Sequence, residues 1–175
     1  LYRFSVSATA NTNGVSLYKT TFNIAMTGDD GPDDFSVTNA RLFAFKNSNF
    51  SGGVYTSDGQ LNNGPLFASS TPAEAEIYFN PTSPVMASRE AIHIPSGGIY
   101  YFELRGDVTG ADAGDSLTVA LEGDASFGGV TQAASVSGTD NDFIWSGNSI
   151  TTLSGAVGAA NNDWSNGFLL PGLPS

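Results

Sequence analysis

Apolar and polar residues alternate along most of this chain, and the period is two. Tyr2, Phe4, Val6 and Ala8 share one face of an opening strand, "LYRFSVSA". The same spacing puts Tyr18, Thr20, Phe22, Ile24 and Met26 on one side of "GVSLYKTTFNIAMTG", with Lys19, Thr21 and Asn23 opposite. "FSVTNARLFAFKN" predicts a third strand and Gly52 to Ser57 a fourth, while "PLFASS" and "EIYFN" are short candidates bounded by Gly and Pro. "AIHIPSGGIYYFELRGDV" reads as a hairpin, two apolar runs divided by Pro95-Ser96-Gly97-Gly98. "SLTVALEGDAS" sets Leu117, Val119 and Leu121 against Ser116, Thr118 and Glu122. A helical signal is confined to "TPAEAEIYF", where Pro72 and two Glu suit a short helical turn. Roughly nine or ten strands with turn signals about every 8–15 residues predict an all-β fold, a single antiparallel β-sandwich that is Ig-like or jelly-roll-like.

After about Phe127 the texture changes, becoming small, polar and rich in Gly and Ser. The expected division is therefore a sandwich over 1–127 and a loop-rich C-terminal extension over 128–175. That extension packs on the same domain or on a neighbouring subunit. Trp145 and Trp164 are its expected anchors, because a large ring buries much apolar area at low entropic cost. The chain then runs into an apolar tail, Phe168, Leu169, Leu170, Pro171, Gly172, Leu173 and Pro174.

Composition narrows the function. Hydrophobic residues make up 40% of the 175, enough to bury a core, but charged residues only 13%, against about 25% in an ordinary soluble domain. The polar surface is left to Ser, Thr, Asn and Gly, a habit that suits secreted, surface-exposed β-proteins. Seventeen acidic residues against 6 Lys and Arg give a net charge of −11. Such a field repels nucleic acid and anionic membranes, so nucleic-acid binding is set aside. Cysteine is absent, which removes disulfides and thiolate metal sites. No apolar run approaches the roughly 18 residues of a helical membrane span, and no membrane insertion is expected. A chain that opens directly on a strand is expected to be a processed product or an excised domain. Asn49-Phe50-Ser51 forms an N-glycosylation sequon, making Asn49 a candidate for modification.

The catalytic readings are thin. His93 is the only histidine and has no nucleophile turn beside it. Zinc would need three carboxylates alongside it. Glu74, Glu76, Glu90, Glu103 and Glu122 are candidates for a glycosidase pair. Alternation, however, turns Glu103 away from Phe102 and Leu104, and Glu122 away from Leu117, Val119 and Leu121, toward water. Calcium is a better match to the acidic turns. Asp29, Asp30, Asp33 and Asp34 crowd "GDDGPDDF", "GADAGDS" offers Asp112 and Asp115, and Asp140 and Asp142 flank Asn141. Hard oxygens on tight turns are what calcium takes, although Asp and Asn also favour turns for their own backbone bonds. Tyr100, Tyr101, Trp145 and Trp164 are the candidate rings for stacking a glycan.

The ending carries a resemblance. "NDFIWSGNS", a small-residue spacer and "DWSNGFLLPGLPS" follow the pattern D-F-I-W-S-x-N … D-W-x-N-G-[FY]-x-x-x-G-L-P. This resembles the C-terminal β-domain of large secreted cell-surface proteins of ultrasmall candidate-phylum bacteria. "GVSLYKTTFNIA" and "IPSGGIYYFELRG" look like the domain preceding that ending. Gly147 stands where Pro is expected, and Phe168 where Tyr is commoner. The resemblance implies an exported surface component and supplies no catalytic residue.

The resulting expectation is a non-catalytic structural subunit of an extracellular or cell-surface assembly, a filament or surface layer, with other copies of itself as partner. Tyr2, Phe4, Val6, Phe168, Leu169, Leu170 and Leu173 are its expected subunit contacts, the first three by exchange of a terminal strand. The alternative is a secreted carbohydrate-binding or calcium-dependent adhesion module. No cofactor is expected beyond structural calcium.

Overall fold

The structure, a computed structural model, describes residues 1–10, 13–28, 35–61, 74–78 (backbone), 91–126, 142–148, 164–168 and 170–173. Ten strands run in chain order: β1 (Tyr2–Ser7), β2 (Val15–Thr27), β3 (Ser36–Asn47), β4 (Ser51–Gly53), β5 (Glu74–Tyr78), β6 (Ile92–Ile94), β7 (Ile99–Thr109), β8 (Ser116–Leu121), β9 (Phe143–Ser146) and β10 (Trp164–Asn166). The described residues contain no helix. Residues 74–78 are strand and not a helical turn, β4 begins one residue before Gly52 and stops at Gly53, and 65–70 lies outside the described residues.

Two antiparallel sheets form. The first has the order β1-β7-β3-β4. The second is built around β2, which pairs with β9 and β8 as well as with β6 and β5, and β10 continues outward from β9. Their inner faces share one core. Ala40, Leu42, Ala44, Phe102 and Leu104 come from the first sheet, and Leu17, Phe22, Ile24, Ile92, Ile94, Leu121 and Phe143 from the second. The predicted β-sandwich is present; β1 alternates as a one-sided strand requires, whereas β2 is buried on both faces over Ser16–Phe22. In β1, Tyr2, Phe4 and Val6 are half-buried against the core while Arg3, Ser5 and Ser7 are exposed. Phe4 stacks on Phe102 at 4.8 Å and lies 6.1 Å from Phe22 of the opposite sheet, so this strand helps join the layers.

Four expectations change. The run 91–108 is no hairpin: the turn closes, with Gly98 N–H donating to Pro95 O at 2.8 Å, yet β6 joins β2 and β7 joins β1 and β3. Ile92 and Ile94 are fully buried on the second sheet, and the chain crosses between layers at Pro95–Gly98. Tyr18 leaves the core row because β2 slips its register against β9 between Leu17 and Lys19. A bulge reverses the faces on either side of it. Leu17 and Phe22 therefore both face the core, while Tyr18 joins Ile144 and Trp164 in a separate cluster on the outer face. The segment after 127 is not loop alone, since β9 pairs directly with β2. Finally, Glu103 does not meet water.

Glu103 points outward from β7 as alternation requires, but it is only 8% exposed. Arg3 Nε and Nη2 donate to Oε1 at 2.8 and 2.6 Å, and Arg105 Nε donates to Oε2 at 2.7 Å. The guanidiniums lie over Phe50 (Arg3, 4.2 Å) and Phe43 (Arg105, 4.3 Å). Burial pushes the Glu103 carboxyl up; the hydrogen bonds and charges of Arg3 and Arg105 outweigh it and hold it below its ordinary value. A depressed carboxyl contributes stability above the unfolded pKa, and that contribution disappears as pH falls through the folded value. Glu103→Gln should therefore cost about 1–2 kcal/mol at neutral pH, discounted because both arginines are half exposed. It should also flatten the loss of stability below about pH 4. Urea melts at pH 7 and pH 3 check both; an equal loss at the two pH values would remove the ion pair as the cause.

Candidate functional site

The sandwich is open along the edge where β1 lies, and both ends of the described chain meet there. A cleft of about 460 Å³ runs between the sheets. One wall is Tyr2, Phe4 and Val6 of β1; the other is Val15, Leu17, Leu121, Phe143 and Trp145 of the second sheet. Leu170 to Leu173 forms part of its lining, with Leu170 and Leu173 half-buried against the main core. Five of the seven expected contact residues are thus brought together. Phe168 is half-buried but outside the cleft, and Leu169 lies outside the described residues.

β1 holds its place through a six-residue ladder to β7, Tyr2 opposite Leu104 through Ser7 opposite Ile99. It pairs with β7 of its own chain and ends the sheet, so its second edge pairs with no strand among the described residues. Backbone N–H and C=O groups on such an edge can template another strand.

The tail is held by a carboxylate that no local sequence pattern marks. Asp124 is 5% exposed and accepts three backbone N–H bonds: from Asp142 at 2.9 Å, Phe143 at 3.4 Å and Gly167 at 2.6 Å. It ties the end of β8 to the start of β9 and the end of β10. Gly167 has to be glycine there, because a Cβ would meet Asp124 Oδ2 and Phe143 Cβ at 2.9 Å each. From Gly167 two turns fold the tail back, with Leu170 N–H bonded to Gly167 O and Leu173 N–H to Leu170 O.

Other residues of the C-terminal motif find partners as well. Trp145 packs on the main core and donates from Nε1 to Asn166 O at 3.1 Å. Asn166 is buried and donates from Nδ2 to Ser126 O at 2.8 Å. Trp164 sits on the outer face of the second sheet, edge-on to Tyr18 at 6.0 Å. Asn148 has a left-handed φ of 50° and is buried; it accepts from Asn13 Nδ2 at 2.5 Å and donates to Asn13 O at 3.3 Å. His93 lies within 3.5 Å of Ser16 Oγ and 3.4 Å of Asn148 Nδ2. It is a strand residue inside a hydrogen-bonded group.

The remaining candidates are dispersed. Tyr100 faces the core, Tyr101 the outer face of the first sheet against Phe50, and the two tryptophans opposite faces of the second sheet. Four rings so placed form no common stacking platform. Asp29, Asp30, Asp33, Asp34 and Asp140 lie outside the described residues, as do Glu90 and the side chains of Glu74 and Glu76. Asp142 is engaged through its backbone by Asp124, and no group of three or more metal-ligating side chains occurs among the described residues. Glu122 is half-buried, its N–H bonded to Thr21 O. Asn49 stands exposed in the β3–β4 turn and accepts from Ser51 Oγ at 2.6 Å. No helix among the described residues is long and apolar enough to cross a membrane. No family model, curated protein or solved structure matches the chain.

Proposed function

We propose that this protein is a non-catalytic structural subunit of an extracellular assembly, a filament or a surface layer, whose copies are joined by exchange of β1. One observation carries the reading: β1 is an edge strand whose Tyr2, Phe4 and Val6 close the same apolar cleft as the C-terminal tail. Exchange replaces a contact within one chain by the identical contact between two, at little cost in free energy. A neighbour's β1 seated against β7 would fill the same alternate pockets and make the same ladder. The composition supports this reading, with few charges and a surface left to Ser, Thr, Asn and Gly. The rival, a glycan-binding module, loses its proposed platform because the four rings are dispersed.

Deleting residues 1–8 is the test. The truncated chain should stay soluble, fail to polymerise, and gain melting temperature when a synthetic "LYRFSVSATA" peptide is added, since a ligand of the folded state stabilises it by mass action. Electron microscopy of full-length protein should show fibres or lattices. Normal polymerisation of the truncated protein would remove β1 as the connector.

A further inference from the structure

We propose that the outer face of the first sheet carries a binding site for an acidic sugar, with Arg41 and Arg105 taking its carboxylate and Asn39 and Asp107 its hydroxyls. The site shares nothing with the β1 cleft and does not rest on the assembly reading. Arg41 and Arg105 stand directly opposite one another on β3 and β7. Like charges at that spacing repel. No carboxylate neutralises Arg41 among the described residues; its side chain makes one hydrogen bond, to Gln60 Oε1 at 3.2 Å, which leaves most of its N–H donors unspent. Arg105 is already fixed, with Nε and Nη2 both on Glu103 Oε2 and its guanidinium over Phe43, which leaves Nη1 for a ligand. A carboxylate between the two would relieve the repulsion and meet donors that need no rearrangement.

A backbone irregularity creates the arrangement. β3 gains one residue against β7 between Thr38 and Arg41, and Asn39 takes a left-handed φ of 53°. Bulges of this kind re-aim side chains. Here the result is a hollow of about 570 Å³ bounded by Leu1, Asn39, Arg41, Phe43, Arg105 and Asp107, with Gly106 also lining it; that volume is within the roughly 300–1,000 Å³ of small-ligand sites. Asn39 Nδ2 donates to Asp107 Oδ2 at 2.8 Å, which leaves Asn39 Oδ1 and Asp107 Oδ1 as acceptors. Cations beside bare acceptors describe a ligand with one anionic group and several hydroxyls. A ligand anionic along its whole length would meet Asp107. In a chain of net −11, three of the 6 basic residues, Arg3, Arg41 and Arg105, occupy this one face.

Calorimetric titration of the full chain at about 0.15 M salt, where long-range charge is screened beyond roughly 8 Å, tests the site. The probes are the methyl glycoside of galacturonic acid, which carries one carboxylate, its methyl ester and a polyglutamate peptide. The galacturonate glycoside should bind, the ester and the peptide should not, and Arg41→Gln should weaken binding about tenfold or more. Arg41→Lys keeps the charge and should still lose most of the affinity, because an ammonium lacks the planar fork. Lys46→Gln removes the same charge at an exposed residue outside the hollow and should change nothing. Absence of galacturonate glycoside binding at millimolar concentration overturns the proposal. So does equal binding of the ester or the peptide, or an equal loss in Lys46→Gln.

Discussion

Asp124→Ala should cost about 3–5 kcal/mol of folding free energy. The carboxylate accepts N–H bonds from Asp142, Phe143 and Gly167, and alanine leaves all three donors without that acceptor. A buried unsatisfied donor costs about 1–3 kcal/mol, and water entering the gap keeps the three from adding fully. A domain of this kind has about 5–15 kcal/mol in total, so the loss takes a large share of it. Asp124→Asn should fall in between, because one oxygen becomes an amide that faces a donor. The same substitution should loosen the tail at the cleft, since Gly167 begins the two turns that return Leu170 and Leu173 to the core. Urea unfolding gives the midpoint, and hydrogen exchange at Phe143 and Gly167 gives the local effect. If Asp124→Ala stays within about 1 kcal/mol of the parent, the carboxylate is not what holds these segments.

Trp145→Ala should be of comparable size, again about 3–5 kcal/mol, the range for removing a large ring from a packed site. Two losses combine. The ring forms part of the cleft wall against the main core, and its Nε1 donates to Asn166 O. Trp164→Ala removes a ring of the same size from the outer cluster with Tyr18 and Ile144. The two differ in their second readout. Only the Trp145 variant should enlarge the cleft and raise binding of an apolar dye there. Retention of the parental melting temperature in both variants would show that these rings are not anchors.

The strands themselves could be read from the chain because a strand's side-chain period is local: Tyr2, Phe4 and Val6 alternate with polar residues whatever they pair with. Two layers followed from the number of such runs, and the apolar character of the tail was plain. The choice of partners could not be read. β6 and β7 are four residues apart yet belong to different sheets, because burying Ile92 and Ile94 against β2 and pairing β7 between β1 and β3 outweigh a local hairpin. One bulge moved Tyr18 from the core row to the outer face, and no residue type at 17–19 announces it. Glu103 looked solvated because one of its two partners, Arg3, is 100 residues away. Asp124 carries no local signal because its donors lie 18, 19 and 43 positions on. Periodicity reports which face a side chain takes; only the folded chain brings a buried charge to the donors that make its burial tolerable.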